Sequence, residues 1–234
     1  MMHPVRDRLL TAKLTRGGAL ALAFSGFPLR QVRPVAASTA TPDAGADASP
    51  LAQRDSPFRS ALDVLNYALT LEHLENAYYR AGLDRFGAQD FVAVGYEAVV
   101  RDSIVEIGKH EAAHVETLTA VIRDLGGTPV RAGRYDVSSA NVGEFLGAAQ
   151  VLENVGVAAY TGAAQYLIGN DELLTAALTI HGVEARHAAY LSLLTGISPF
   201  PHATEAPLTP KQALEAAGLF AVEERGEPTP EAQP

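Results

Sequence analysis

The 234-residue chain contains no cysteine and no tryptophan, and aromatic residues make up only 7% of it. Without cysteine the chain can form neither disulfides nor thiolate metal sites, and it has no thiol nucleophile. The shortage of aromatic residues, together with abundant Ala and Leu, favours helices over a β-sandwich. The composition therefore predicts an all-α protein.

Basic residues are also scarce, since 18 Lys and Arg stand against 27 Asp and Glu and give a net charge of -9. A nucleic-acid partner would need clustered Lys and Arg opposite its phosphates, so the sequence predicts none. Long apolar runs are missing as well. No segment is apolar over enough residues to predict a membrane span in the mature chain.

The first 55 residues differ in composition from the rest of the chain. Residues 1–40 carry basic residues, then the short apolar run GGALALAFSGF, then the small residues of VAASTA. This order is typical of an export signal and predicts a periplasmic or extracellular protein; a disordered arm on a cytoplasmic protein is the alternative. Residues 41–55 are predicted to be a flexible linker, 56–216 the folded domain and 217–234 a loose tail.

Four segments with apolar residues at steps of three and four predict four long helices. Their caps and breakers place the first from Ser56-Pro57 to about Gly82, the third from Asn141 to Gly169-Asn170, and the fourth from there to Gly196. The second ends at Gly126-Gly127, and GGTPVRAGRYDVSSAN after it is long enough to return along a bundle. A short helix is expected behind Thr209-Pro210.

Each long helix interrupts its own apolar stripe with ionisable residues. They are Glu72 in the first helix, Glu111-x-x-His114 in the second, Glu153 in the third and Glu184-x-x-His187 in the fourth. Residues three apart share a helix face, so each Glu and His pair can point at one object. The same two-part pattern thus occurs twice in the same order.

Four ionised carboxylates in an apolar core would lose their hydration and repel one another unless cations accompany them. Two divalent ions would nearly balance that charge, with two carboxylates bridging the ions and one His and one terminal carboxylate on each. Oxygen and imidazole donors suit iron or manganese. The sequence predicts two divalent ions per chain held by all six residues, with iron as the first expectation and manganese as the second.

Two tyrosines, Tyr79 and Tyr160, each follow a single Glu by seven residues, about 10 Å along the same stripe. They are expected beside the metal site, where core packing and a role as hydrogen-bond partner or electron relay are equally good interpretations. Glu75 is an alternative ligand to Glu72. The other helical histidines are expected outside the ligand set: His73, His110 and His181.

The depth of the site constrains the second helix. If the second helix began directly after the turn that follows the first helix, Glu111 would lie more than about 15 Å deeper in the bundle than Glu72. The segment AQDFVAVGY is therefore expected to form a separate short helix, with the second long helix beginning near residues 95–97.

The ligand pattern resembles that of the ferritin-like di-metal carboxylate superfamily, in which two helices give one Glu each and two give Glu-x-x-His. The stretches DVLNYALTLEHLENAYY, EIGKHEAAHVETL and PLTP make the chain more similar to exported ferritin-like proteins described as desiccation-related. The resemblance covers about residues 58–215. It implies a ferritin-like four-helix bundle with a long crossover between its second and third helices.

The expected function is oxidation of Fe(II) or reduction of O2 or peroxide by a di-iron site, in protection against stress. Three alternatives stay open. The protein could be a structural desiccation-stress protein that retains a metal site, an enzyme with manganese-catalase chemistry, or a helical interaction module without metal. Metal ions and O2 or peroxide are the expected partners, and a homo-oligomer also stays open.

Overall fold

The computed structural model describes residues 56–220 of the chain. These residues form an all-α, ferritin-like bundle with the following helices: α1 (Ala61–Arg85), α2 (Ala88–Ala93), α3 (Ala98–Asp124), α4 (Val142–Ala163), α5 (Asp171–Leu194) and α6 (Pro210–Gly218). None of these helices is long and apolar enough to cross a membrane. The predicted export signal, the linker and most of the predicted tail lie outside the described residues.

Two apolar clusters fill the bundle and leave a layer between them. One cluster holds the first half of α1 and includes Leu69, Leu118 and Ile180. The other holds the second half of α1 and includes Ile104 and Phe145. The first half of α1 thus packs with the ends of α3 and α4 and with the start of α5, so α3 and α4 run antiparallel to α1. The predicted ligands occupy the layer between the clusters.

The first helix begins later and ends later than the sequence predicts. Ser56 does not cap it; the Ser56 hydroxyl instead accepts a hydrogen bond from Phe58 N at 3.1 Å in the preceding turn. Ser60 is the cap, and its side chain accepts from Asp63 N. The helix continues past Gly82 to Arg85. Glycine at position 82 makes room for the ring of Phe145, which a Cβ would overlap.

The predicted break before the second long helix is confirmed. α2 is a separate helix of 6 residues. Gly95 then turns the chain with φ +93°, a conformation that favours glycine, and α3 starts at Ala98. The break allows Glu111 to lie at the same depth as Glu72.

The crossover between α3 and α4 runs back along α1, as predicted. Asn66 fixes its start, since the Asn66 amide donates to Thr128 O at 3.2 Å and accepts from Val130 N at 2.7 Å. Its end is tied to the second half of α1 by a 3.1 Å hydrogen bond between the hydroxyls of Tyr78 and Ser139. The crossover therefore delivers the chain to the opposite end of the bundle, where α4 begins.

The third long helix is shorter than predicted. The cap at Asn141 is confirmed, with its side chain accepting from Glu144 N. However, α4 ends at Ala163 and continues as a 3₁₀ turn, Ala164–Leu167, instead of running to Gly169 as an α-helix. The tighter turn directs the chain into α5, which Asn170 caps.

The segment before α6 crosses the outer face of α4. Leu208 N donates to Ala158 O at 3.0 Å, which places the backbone of the segment directly on the helix. Gly162 permits this approach, because a Cβ there would overlap Leu208 O. The predicted C-terminal helix follows at once, with Thr209 as its cap and Pro210 at its first position.

Replacing Gly162 by Ala should lower the free energy of unfolding by about 1–3 kcal/mol, because the new methyl group displaces a backbone segment. Gly147→Ala is the matched control on the same helix, since a Cβ there meets nothing within 4 Å. The control should gain about 0.5–1 kcal/mol from helix propensity alone. Urea denaturation of both variants measures the difference, and equal stabilisation by both would contradict the close crossing.

Candidate metal centre

The structure brings all six predicted ligands together in the layer between the two apolar clusters. They come from all four long helices: Glu72 on α1, Glu111 and His114 on α3, Glu153 on α4, and Glu184 and His187 on α5. The four carboxylates are 0% exposed, and the two imidazoles are 8% and 4% exposed. The four carboxylates therefore have no contact with bulk solvent that could solvate their charges.

These residues form two overlapping groups that could each hold a metal ion. One group is Glu72, Glu111, His114 and Glu184, and the other is Glu111, Glu153, Glu184 and His187. Within each group the ligand atoms lie within 4.8 Å of one another. Glu111 and Glu184 belong to both groups, whereas each group has one His and one carboxylate of its own. Two shared carboxylates, with one His and one further carboxylate in each group, form the arrangement expected for a pair of metal ions.

Both histidines point their Nδ1 atoms at carboxylate oxygens. His114 Nδ1 lies 3.2 Å from oxygens of Glu72 and Glu111 and 3.0 Å from Glu184 Oε1. His187 Nδ1 lies 3.0 Å from Glu111 Oε1 and 3.2 Å from Glu153 Oε2. One N–H cannot serve several acceptors well, whereas ligands at right angles and about 2.1 Å from a common ion are themselves about 3 Å apart. The spacing suits donors that surround an ion.

The unsatisfied atoms of the cluster test whether a metal fits. The buried oxygens or nitrogens without a hydrogen-bond partner include Glu72 Oε2, Glu111 Oε1, Glu153 Oε2, both oxygens of Glu184 and His187 Nδ1. Unsatisfied buried polar atoms are rare in native proteins and usually indicate a missing partner. Here every long helix supplies at least one such atom, and the donor set is oxygen and imidazole nitrogen. The residues therefore fit a pair of iron or manganese ions.

Burial and mutual repulsion shift the protonation of the cluster. Burial raises the pKa of Glu72 to about 7 and raises that of Glu184 well above its usual range. Glu111 differs, because the close approach of the His114 and His187 imidazoles outweighs burial and lowers the pKa of Glu111 to about 2. Burial opposes a charge on His187, but the nearby carboxylates of Glu111 and Glu153 outweigh it and raise the pKa of His187 to about 9. Protons thus supply the positive charge that metal ions would otherwise provide.

The two tyrosines bind carboxylates across the bundle. Tyr79 on α1 donates to Glu153 Oε1 on α4 at 2.5 Å, and Tyr160 on α4 donates to Glu72 Oε1 on α1 at 2.6 Å. Burial raises the pKa of both phenols well above the usual range, so both are neutral donors. Each tyrosine occupies one oxygen of a terminal carboxylate and leaves the Oε2 atom turned toward the histidines.

Other polar residues lie around this cluster. His73 donates to Val130 O in the crossover, and His181 contacts the Thr161 hydroxyl at 3.0 Å; neither belongs to the two groups of candidate ligands. His110 contacts His187 Nε2 through its Nδ1 at 3.0 Å and so supports the far side of that imidazole. A ligand imidazole is usually oriented in this way by a second hydrogen bond.

The sequence predicts the role of Glu75 only in part. It was expected only as an alternative to Glu72, yet the structure buries both, with Glu75 at 3% exposure. Its position three residues after Glu72, on the same face of the helix, is the feature of the sequence that indicates its burial. The layer therefore contains a fifth carboxylate beside the four predicted ones.

A four-helix bundle with carboxylates and imidazoles gathered at its middle is the architecture of ferritin-like proteins. Residues 60–196, more than half of the chain, match the family described as ferritin-like domain, and the protein belongs to that family. The chain is also similar to Protein rds1 of Schizosaccharomyces pombe (strain 972), with 29% identity over 165 residues. That match covers 69% of this chain but only 39% of the relative. The predicted ferritin-like resemblance is thus confirmed.

The metal-free protein should lose stability as the pH rises from about 4.5 to about 9. The pKa of Glu72 is about 7 and that of His187 about 9 in the folded protein, and both exceed the values of the free side chains. The folded state therefore binds more protons, and its advantage disappears as each group deprotonates. Urea midpoints at pH 5, 7 and 9 in the presence of a chelator measure the effect.

Excess Mn(II) should reduce this loss, because the ion replaces the protons as counter-charge. A His187→Asn variant without metal should lack part of the loss above pH 6.5. Stability that stays constant or increases with pH in the chelated protein would contradict the assigned protonation.

Proposed function

We propose that the protein binds two divalent metal ions, iron in the first place, and couples oxidation of Fe(II) to reduction of O2 or peroxide. The observation that carries the proposal is the sharing of Glu111 and Glu184 by two four-ligand groups. Shared carboxylates hold two ions close together, and such a pair can give two electrons to one oxidant molecule.

The side chains around the site support this role by holding the ligands in place. Tyr79 and Tyr160 each bind one oxygen of Glu153 or Glu72, so the other oxygen keeps a fixed direction. His110 does the same for His187. The apolar clusters on either side exclude water and strengthen every charge interaction within the layer. Because both tyrosines bind Glu72 or Glu153 directly, we propose that they carry an electron or a proton to or from the metal pair.

A small apolar cavity favours O2 as an oxidant. It has a volume of about 30 Å³ and lies in the apolar cluster at the Tyr160 side of the site, between Leu118 and Ile180. A cavity of this size holds about one small molecule, and an apolar lining does not retain water. O2 is apolar and small enough for it, whereas peroxide would lose its hydrogen bonds there.

Two other functions remain as outcomes of the tests. A manganese-loaded site that turns over peroxide, with an inactive iron form, would indicate catalase chemistry. A site that binds metal and raises the melting temperature without any reaction would indicate a structural stress protein. We also propose that the protein is exported and that it protects against oxidative damage during drying. The support for export is that basic, apolar and small residues follow one another in residues 1–40 as they do in an export signal.

Anaerobic titration of the metal-free protein with Fe(II) should show about two ions bound per chain, the number that this ligand set provides for. Glu111→Ala should reduce binding of both ions, because that carboxylate belongs to both groups. His114→Ala should reduce binding mainly of one ion. Glu116→Ala is the control, since Glu116 is exposed on the same helix. Equilibrium dialysis with iron analysis measures the stoichiometry.

Admission of O2 or peroxide to the loaded protein should then oxidise the bound iron, seen as growth of near-ultraviolet absorbance. Binding well below two ions per chain that is also unchanged in Glu111→Ala would reject the proposed site. Normal binding without oxidation by either oxidant would reject the redox function and leave the structural alternative.

A further inference from the structure

Glu75 lies in the interior without a counter-charge of its own. It is 3% exposed and is three residues from Glu72 on the same face of α1. No Lys, Arg or His nitrogen of the described residues forms an ion pair with it. A buried carboxylate without a partner is costly, and the cost rises beside four other carboxylates. Ordinary packing therefore does not explain a Glu at this position.

The facing helix lacks a side chain where the Glu75 carboxylate lies. A Cβ at Gly156 of α4 would be 2.9 Å from Glu75 Oε1 and 3.2 Å from Glu184 Oε2. The two oxygens thus approach the same point from different helices, and glycine leaves that point free. Glu184 is one of the two carboxylates shared by the metal groups. Gly156 consequently allows Glu75 to lie against the shared side of the site.

The number of charges distinguishes Glu75 from the six ligands already described. Four carboxylates and two neutral imidazoles balance two divalent ions. A fifth carboxylate adds one negative charge, which two divalent ions leave uncompensated and which ions of higher charge would neutralise. Carboxylate oxygens are also the hard donors that strongly charged ions prefer.

We propose that Glu75 is a further metal-ligating residue and that it makes the site favour trivalent over divalent ions. The inference rests on the proposed function, since it needs a metal pair in the layer. Glu75 lies outside both four-ligand groups, but its carboxylate is at the end of a side chain with three rotatable bonds. Glu75 therefore stays unbound when the ions are divalent and becomes a ligand when they are trivalent.

Glu75→Gln tests this role, because it removes the charge and keeps the volume. Ga(III) serves as a trivalent probe without redox chemistry, and Mn(II) as the divalent probe. The variant should bind Ga(III) about tenfold or more weakly in competition with citrate, as is typical when a metal site loses a supporting group. Its affinity for Mn(II) should fall clearly less, because the removed negative charge attracts a divalent ion less strongly than a trivalent one.

Gly156→Ala provides an independent test that keeps the charge. The new methyl group would displace the end of the Glu75 side chain and would also approach Glu184 Oε2, so this variant should lose affinity for both probe ions, and more for Ga(III) than for Mn(II). Glu116→Gln, an exposed change on α3, is the control and should match the unmodified protein. Melting temperatures of all variants show whether each one is folded.

Unchanged Ga(III) binding in both variants, or equal losses for Ga(III) and Mn(II), would overturn the inference while leaving the di-metal site intact. Failure of the unmodified protein to bind Mn(II) or Fe(II) would reject the proposed function itself. The two failures are therefore distinguishable within one set of titrations.

Discussion

The structure depends on how the negative charge of the carboxylates, which four helices bring into one buried layer, is compensated. Burial alone would keep these groups neutral, and their mutual repulsion would separate the helices that carry them. Two imidazoles reduce the repulsion, and their close approach to Glu111 keeps that carboxylate ionised. Several oxygens still lack a partner, however. Cations in this layer would satisfy those oxygens and would connect all four long helices, so the site and the stability of the bundle are closely linked.

The repeated order of ligands corresponds to an approximate symmetry in space. α1 with α3 supplies one half of the site, and α4 with α5 supplies the other. The hydrogen bonds from Tyr79 to Glu153 and from Tyr160 to Glu72 cross between these halves in both directions. The halves are not identical, since His110 supports His187 and Glu75 has no equivalent on α4. Two metal ions bound in this layer would consequently have different surroundings.

Most of the ligand set could be predicted from the sequence, because a Glu or His within an apolar stripe is recognisable from its spacing. The break before α3 could be predicted as well, since ligands must lie at one depth. The start of α1 could not, because Ser56-Pro57 has the same local pattern as a cap. The partners of the tyrosines and the burial of Glu75 depend on how α1 and α4 face each other. The spacing within a single helix contains no such information.

The most direct test of the central claim is anomalous X-ray scattering from crystals of the Fe(II)-loaded protein, recorded on either side of the iron absorption edge. Two iron peaks are predicted, both between Glu111 and Glu184, with His114 Nδ1 bound to one ion and His187 Nδ1 to the other. A map without iron in this layer, in which the carboxylates form hydrogen bonds only with one another and with the histidines, would contradict the central claim.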